Sequence, residues 1–360
     1  MISTPFHLSR SAASKRFFNI DFLRFFFALT VCYCHALYNF PLYENIQHYQ
    51  LLFQSHENTQ IASDFFFIIA GFFLFYKPPV DLGTFLKKRL IRLLPTFYIC
   101  LILCIGLAAL GINYHPTAFQ HTDMMGILPN LFMLDFFSDQ SILPLSWFLN
   151  CLFWISLFYF VLSRQTNPKT FLLLLSIISF MGFCLIANNG IGFDKIYLGI
   201  FKLGIIRSIV GIAMGIMIYY AYRASGKTKI PVLITNICEI ALSIYIIKGL
   251  FFTPFLAYPN LIIAFVLLFY LFLLNKGIVS KILNKPYWKF FGDISYMLFF
   301  IHIPAFAIIK AILYLYIKPT GALSYIAWLI GLSVIVAIIF YLFFEKKIQT
   351  YLGNKFLRRD

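Results

Sequence analysis

Charge is what this sequence lacks. Only 12% of its 360 residues are charged, against about 25% in a soluble domain, and 61% are hydrophobic. Acidic side chains are the scarcest class, 13 Asp and Glu against 29 Lys and Arg. Polar stretches are short as well. The longest, residues 112–143, is only about 30 residues and too short to fold alone, so no separate soluble domain is expected. The seven cysteines (Cys32, Cys34, Cys100, Cys104, Cys151, Cys184 and Cys238) all fall in apolar segments, with neither metal-ligand spacing nor a disulfide framework. Cys32 and Cys34 beside His35 are therefore read as small buried hydrophobes, and no metal is expected. No cleaved signal peptide is expected at this end either. The apolar run after Lys15 and Arg16 is long, is interrupted by Arg24, and has no small-residue cleavage site at its end.

What is present is a series of apolar runs of roughly 18 residues or more, repeated from end to end. They predict an all-α polytopic membrane protein with about ten spanning helices: 17–39, 61–76, 92–111, 144–163, 170–187, 201–222, 231–250, 257–275, 290–316 and 322–344. The second is short, and the seventh ends near a turn marked by Pro254. The net charge of +16 would suggest nucleic acid in a soluble protein. Here the basic residues lie in short clusters between the apolar runs and are read as topology signals, with no nucleic-acid partner. With the N-terminus inside, the inner segments hold 22 Lys and Arg, and the outer ones only Lys195 and Lys318. The outer loops 40–60 and 112–143 contain no Lys or Arg but carry Glu44, Glu57, Asp123, Asp135 and Asp139. Both termini are thus expected in the cytoplasm.

Ionisable groups inside a bilayer cost about 2.5 kcal/mol or more each and mark function. They are Arg24, His35, Asp64, Lys202, Arg207, Glu239, Lys248, His302 and Lys310. The three lysines can snorkel. Arg24 and His35 are eleven residues apart, almost three turns, and so share one face of the first helix about 16 Å apart along the axis. Asp64 opens the second helix and is expected at the depth of His35. Arg207 lies about a turn and a half from the start of the sixth helix, and His302 near the middle of the ninth. If these groups face one cavity they make a polar path across the bilayer. Each also has a plainer role: Asp21 pairing with Arg24, Asp64 capping a helix, His302 hydrogen-bonding between helices, and Gly211 with Gly215 packing helices closely.

The motifs resemble those of the membrane acyltransferase type 3 family. "IDFLRFFFALTVCYCH" is similar to its opening D-x-L-R-x(10)-H, through Asp21, Leu23, Arg24 and His35. "SDFFFIIAGFFLF" resembles D-x-F-F-x-x-S-G, with Ala70 in place of the serine. "KKRLIRLLPTFY" resembles R-R-x-x-R-x-x-P, with Arg89, Arg92 and Pro95 matching and Lys88 replacing one arginine. "PLSWFLNCLFW", with Trp147, is similar to W-F-L-x-x-L; the region around Cys151 and Leu152 is apolar where some members are acidic. "DISYMLFFIHIP" resembles S-Y-x-x-Y-x-x-H-x-P, with Phe299 replacing the second tyrosine, and "FFEKK" resembles E-K-P, with Lys347 replacing the proline. The matches run in family order over residues 16–347.

The resemblance implies one transmembrane acyltransferase domain in a bacterial inner membrane. It implies O-acyl transfer, usually of acetyl, from cytoplasmic acyl-coenzyme A to a hydroxyl of a cell-surface or lipid-linked carbohydrate, with no tightly bound cofactor. His35 is expected as general base, since a neutral imidazole can take the proton of a weakly nucleophilic sugar hydroxyl. Asp64 is expected to orient it, and Arg24 to hold a carbonyl or phosphate of the donor arm. Lys88, Arg89 and Arg92 suit the donor's phosphates. His302, Arg207 and Trp147 are expected at the acceptor. The competing reading is a transporter or exporter of a saccharide or polar metabolite, in which polar groups at staggered depths serve alternating access.

Overall fold

The structure is a computed structural model. It describes residues 16–38, 56–112, 124–134, 141–190, 192, 196–197, 201–227, 230–253, 258–317 and 321–357. Of the residues used above to read topology, Arg10, Lys15, Glu44, Asp123, Asp135, Asp139, Lys195, Lys229, Pro254, Lys318, Arg358 and Arg359 lie outside the described residues.

Each of the ten predicted spans is a helix. In chain order they are α1 (Phe18–Tyr38), α2 (Ala62–Tyr76), α3 (Leu82–Ala109), α4 (Ser146–Gln165), α5 (Pro168–Asn189), α6 (Leu203–Ala224), α7 (Val232–Phe251), α8 (Tyr258–Leu274), α9 (Trp288–Ile312) and α10 (Ala322–Phe340). Eight are long and apolar enough to cross a bilayer; α2 and α8, with 15 and 17 residues, are shorter. Strand pairing among the described residues is confined to a two-residue ladder, Ile196–Tyr197 with Phe201–Lys202. The chain is an all-α polytopic membrane protein.

Two boundaries differ from the sequence expectation. α3 starts at Leu82, ten residues before the predicted start, because Asp81 caps it. The Asp81 backbone is extended, and its carboxylate accepts the Thr84 N–H and the Thr84 hydroxyl, both at 2.8 Å. Those donors, the backbone N–H first, hold the exposed Asp81 carboxyl below its ordinary range. The early start puts Lys87, Lys88 and Arg89, ahead of Arg92, on a helix rather than in a loop. At 28 residues α3 is about 42 Å long, against a hydrocarbon core of about 30 Å, so its basic first turns reach past that core. At the other end of the chain, α10 continues through a π-helical turn, Tyr341–Glu345, into the helix Lys346–Phe356.

Contacts between helix ends fix the alternation. The start of α1 meets the end of α8, where Asn19 Nδ2 donates to the Phe272 carbonyl at 2.7 Å. It also meets the start of α9 through Arg16 and Asp293, and the end of α6 through Phe17 and Tyr222. Arg164, at the end of α4, donates to the Pro79 and Val80 carbonyls of the α2–α3 turn at 2.9 and 3.1 Å. Gln349, beyond α10, donates to the Arg92 carbonyl of α3 at 3.1 Å. One end of the bundle therefore gathers the basic clusters that the sequence assigned to a single side. At the opposite end, Asn58 donates to the Gly249 and Thr253 carbonyls at the end of α7, at 2.9 and 2.7 Å.

The centre is built on α1, α4, α6 and α9, which are mostly buried; α5, α7 and α10 are mostly exposed at the rim. Lipid tails are as apolar as leucine, so helices hold together by close fit rather than by hydrophobic burial. α2 and α6 show that fit. A side chain at Gly71 would fall on the Ile212 carbonyl, and one at Gly215 on the Ile68 carbonyl. A Cβ at Gly211 would lie 2.7 Å from that of Phe67. The glycine pair is thus a packing device inside the bundle. The abundant phenylalanines fill the remaining space. Phe27 of α1 stacks on Phe65 of α2 at 4.0 Å and meets Phe265 of α8 edge-on at 4.9 Å, contacts worth about 0.5–1.5 kcal/mol each beyond their area.

Candidate active site

Among the described residues, Arg24, His35, Asp64, Arg207 and His302 fall into three clusters rather than one continuous path. The first is a cavity of about 580 Å³ at the basic end. α1 contributes Ile20, Asp21 and Arg24, spaced to share one helix face, and Phe17 lies just before it. Lys77 from the end of α2, and Lys88, Arg89 and Arg92 from α3, also line it, as do Asp293 and Tyr296 from α9. The four residues expected to hold the donor, Arg24, Lys88, Arg89 and Arg92, are therefore together in one chamber. Farther in, the walls turn apolar: Phe66, Ile69 and Ala70 from α2, and Phe148 and Leu152 from α4.

Several of these side chains are held in place. Arg16 spans two carboxylates, with Nε 2.6 Å from Asp21 and Nη2 2.6 Å from Asp293, and so pins the start of α1 to the start of α9. The two helices approach so closely there that a Cβ at Gly292 would meet the Asp21 side chain at 2.5 Å. Arg24 stays loosely tied, 3.4 Å from the other Asp21 oxygen, which leaves its guanidinium available to the cavity. The Tyr296 hydroxyl donates to the Leu93 carbonyl at 3.0 Å and fixes the α9 wall against α3. Arg16, Asp293 and Tyr296 were not singled out by charge and depth. Arg16 and Asp293 sit just outside the predicted spans or at their edge, where a charge carries no signal of its own, and Tyr296 was visible only as a motif position.

The second cluster is a buried ion pair. Arg207 Nη2 lies 2.6 Å from Asp64, and Nε lies 3.1 and 3.2 Å from its two oxygens, with both side chains 1% exposed. Arg207 also donates to the Gln60 carbonyl at 3.1 Å and to Ser63 Oγ at 2.9 Å, and its guanidinium lies over the Trp147 ring at 5.6 Å. Two expectations are corrected here. Asp64 is not level with His35: Phe65 stacks on Phe27, which places Asp64 about two turns below His35 along α1. Its carboxylate serves Arg207 rather than standing behind the imidazole. Arg207 and Trp147, expected at the acceptor, are the other members of this lock between α2, α4 and α6.

The third cluster is a histidine pair. His35 on α1 and His302 on α9 face each other, ring centroids 5.1 Å apart, with His302 Nε2 3.2 Å from His35 Nδ1. His35 Nδ1 is also 2.9 Å from the Val31 carbonyl, and His302 Nδ1 is 2.9 Å from the Leu298 carbonyl. His302 is fully buried and His35 is half-buried. His35 thus points into the bundle.

An aromatic cluster separates this pair from the cavity. Phe299, one turn before His302 on α9, packs on Phe66 at 5.5 Å and on Phe148 at 4.6 Å. Phe66 and Phe148 are themselves the deep wall of the cavity. The histidines therefore stand about one turn beyond its closed end.

Comparison with curated proteins and with solved structures gives no match. Comparison with protein families does. The Acyl_transf_3 family, described as an acyltransferase domain, matches residues 17–342, a span that includes every cavity residue named above except Arg16, together with the buried ion pair and both histidines. The chain belongs to this family of membrane acyltransferases.

Proposed function

We propose that the protein transfers an acyl group, acetyl in the first instance, from coenzyme A to a hydroxyl of a cell-surface or lipid-linked carbohydrate. The donor enters from the basic end of the bundle, which is the cytoplasmic side of a bacterial inner membrane, and the acceptor approaches from the opposite side. One observation carries the proposal: Arg24, Lys88, Arg89 and Arg92 converge on a cavity whose apolar end stops just short of His35. A volume of about 580 Å³ is in the range of small-molecule sites. Its charge distribution matches a donor with phosphates at one end and a thioester at the other. Lys88 and Arg92 are exposed at the cavity's basic end and suit the nucleotide phosphates, while Arg24, farther in, suits the arm. For the thioester to reach His35, the rings of Phe66, Phe148 and Phe299 must part.

In the chemical step His35 acts as general base through Nε2. As the acceptor oxygen bonds to the thioester carbonyl carbon, its proton passes to the imidazole. The carbon–sulfur bond then breaks with its electron pair on sulfur. The imidazolium returns the proton to the thiolate, which gives free coenzyme A, an ester and neutral His35. Asp64 and Arg207 act at a distance, by holding α2 against α6.

The experiment supplies the purified protein in lipid with acetyl-coenzyme A and an extract of envelope carbohydrate, and follows thiol release. Release that depends on the carbohydrate, with ester-linked acetyl appearing on it, supports the proposal. Movement of carbohydrate across the bilayer with no covalent change contradicts it and supports the transporter reading.

A further inference from the structure

His35 and His302 are joined by hydrogen bonds from which the positions of their ring protons are assigned. A carbonyl oxygen only accepts, so a ring nitrogen 2.9 Å from it carries a proton. His302 Nδ1, at that distance from the Leu298 carbonyl, is therefore an N–H, and its Nε2 carries the lone pair. His35 Nδ1, 2.9 Å from the Val31 carbonyl, is likewise an N–H. It lies 3.2 Å from the His302 Nε2 lone pair, so one proton is shared between two acceptors, and the His35 lone pair is on Nε2. A single assignment satisfies all three contacts. It is drawn from the hydrogen-bond network.

We infer that His302 is the positioning residue for His35, a neutral imidazole doing what a carboxylate does behind a catalytic histidine. The inference rests on the general-base role proposed above. Its Nε2 holds the Nδ1–H of His35, orients that ring, and takes a share of the positive charge when Nε2 of His35 accepts the acceptor's proton. The carboxylate expected for this task, Asp64, is committed to Arg207. His302 is in turn held from both sides: by the Leu298 carbonyl one turn before it, and by the Phe306 ring, 5.3 Å away, one turn after. A neutral partner suits this depth. A second buried carboxylate would need its own counter-charge in a low-dielectric bundle, whereas an imidazole carries no charge at rest.

Two measurements on the full-length protein in lipid nanodiscs test this. The first is nitrogen-15 NMR of histidine-labelled protein, which needs no activity. A coupling between His35 Nδ1 and His302 Nε2 across the shared proton is expected in the wild type and is lost in His302→Gln. An unprotonated His35 Nδ1, or no coupling, overturns the inference whatever the enzyme does. The second is kinetics with acetyl-coenzyme A and the envelope carbohydrate extract. His302→Leu, which removes the acceptor nitrogen, is expected to lower kcat by about 10- to 100-fold with donor KM unchanged, the size of one hydrogen bond to a charged group. His302→Gln, whose side-chain oxygen can still accept, is expected to recover most of that loss. Equal loss in both variants, or a change confined to KM, overturns the inference and leaves the general-base role of His35 standing. A coupling without any transfer by the wild type overturns the role of His35, and the positioning role with it.

Discussion

Asp64→Asn separates the two roles a buried acid could play here. The structure gives the Asp64 carboxylate three close contacts from Arg207, at 2.6, 3.1 and 3.2 Å, with both groups 1% exposed. The amide removes the negative charge and leaves a guanidinium buried among Ser63, the Gln60 carbonyl and Trp147. Removing one partner of such a pair costs about 3–5 kcal/mol. At about 1.4 kcal/mol per tenfold, that lowers the folded-to-unfolded ratio by roughly 100- to several-thousand-fold. The assay is the monodisperse fraction of detergent-solubilised protein after heating, set beside acyl transfer in membranes at low temperature. Asp64→Asn is expected to melt well below the wild type. The double variant Asp64→Leu with Arg207→Met is expected to recover most of the loss, because an apolar pair of similar volume replaces a buried ion pair at little net cost. If Asp64→Asn keeps wild-type stability yet abolishes transfer, the carboxylate belongs to the chemistry and the lock described here is wrong.

Two further outcomes follow from the cavity and the packing. Arg89→Gln with Arg92→Gln is expected to raise donor KM about tenfold or more, by loss of charge-assisted phosphate contacts; an unchanged donor dependence in a rate assay would mean that these arginines only set topology. Gly71→Val drives a side chain into the Ile212 carbonyl, in backbone that cannot yield as a side chain can, so it is expected to cost more than the usual 1–3 kcal/mol of overpacking and to empty the folded peak in size-exclusion chromatography.

The architecture was legible because bilayer thickness leaves long apolar runs few alternatives. All ten helices overlap the spans that hydropathy and the spacing of basic clusters mark, α3 starting ten residues early, and Gly211 with Gly215 packs as its spacing suggests. The early start of α3 was readable too. Asp81 stands three residues before Thr84 in the manner of a helix cap, but it lies ahead of the apolar run that marked the span. The grouping of Arg24, Lys88, Arg89 and Arg92 was legible in composition, since chemistry put them together before the cavity did in space. Partner choice was not legible. Periodicity places Asp64 and His35 on helices and gives each a rough depth. It does not say how far α2 slides along α1, and the Phe27–Phe65 stack sets that slide two turns away from the expected register. The same slide gives Asp64 to Arg207 and leaves His35 to His302. Phe299 illustrates the opposite limit: as a departure from a family motif it carried no role, yet it packs behind Phe66 and Phe148, the rings that line the cavity's apolar end, one turn from His302.

The central claim is that an acyl group leaving the basic cavity is transferred at His35. The most direct measurement compares membranes holding equal amounts of wild type and His35→Ala, given radiolabelled acetyl-coenzyme A, with label counted on envelope carbohydrate. The account predicts ester-linked label from the wild type and none above background from the variant. Normal labelling by His35→Ala would contradict it.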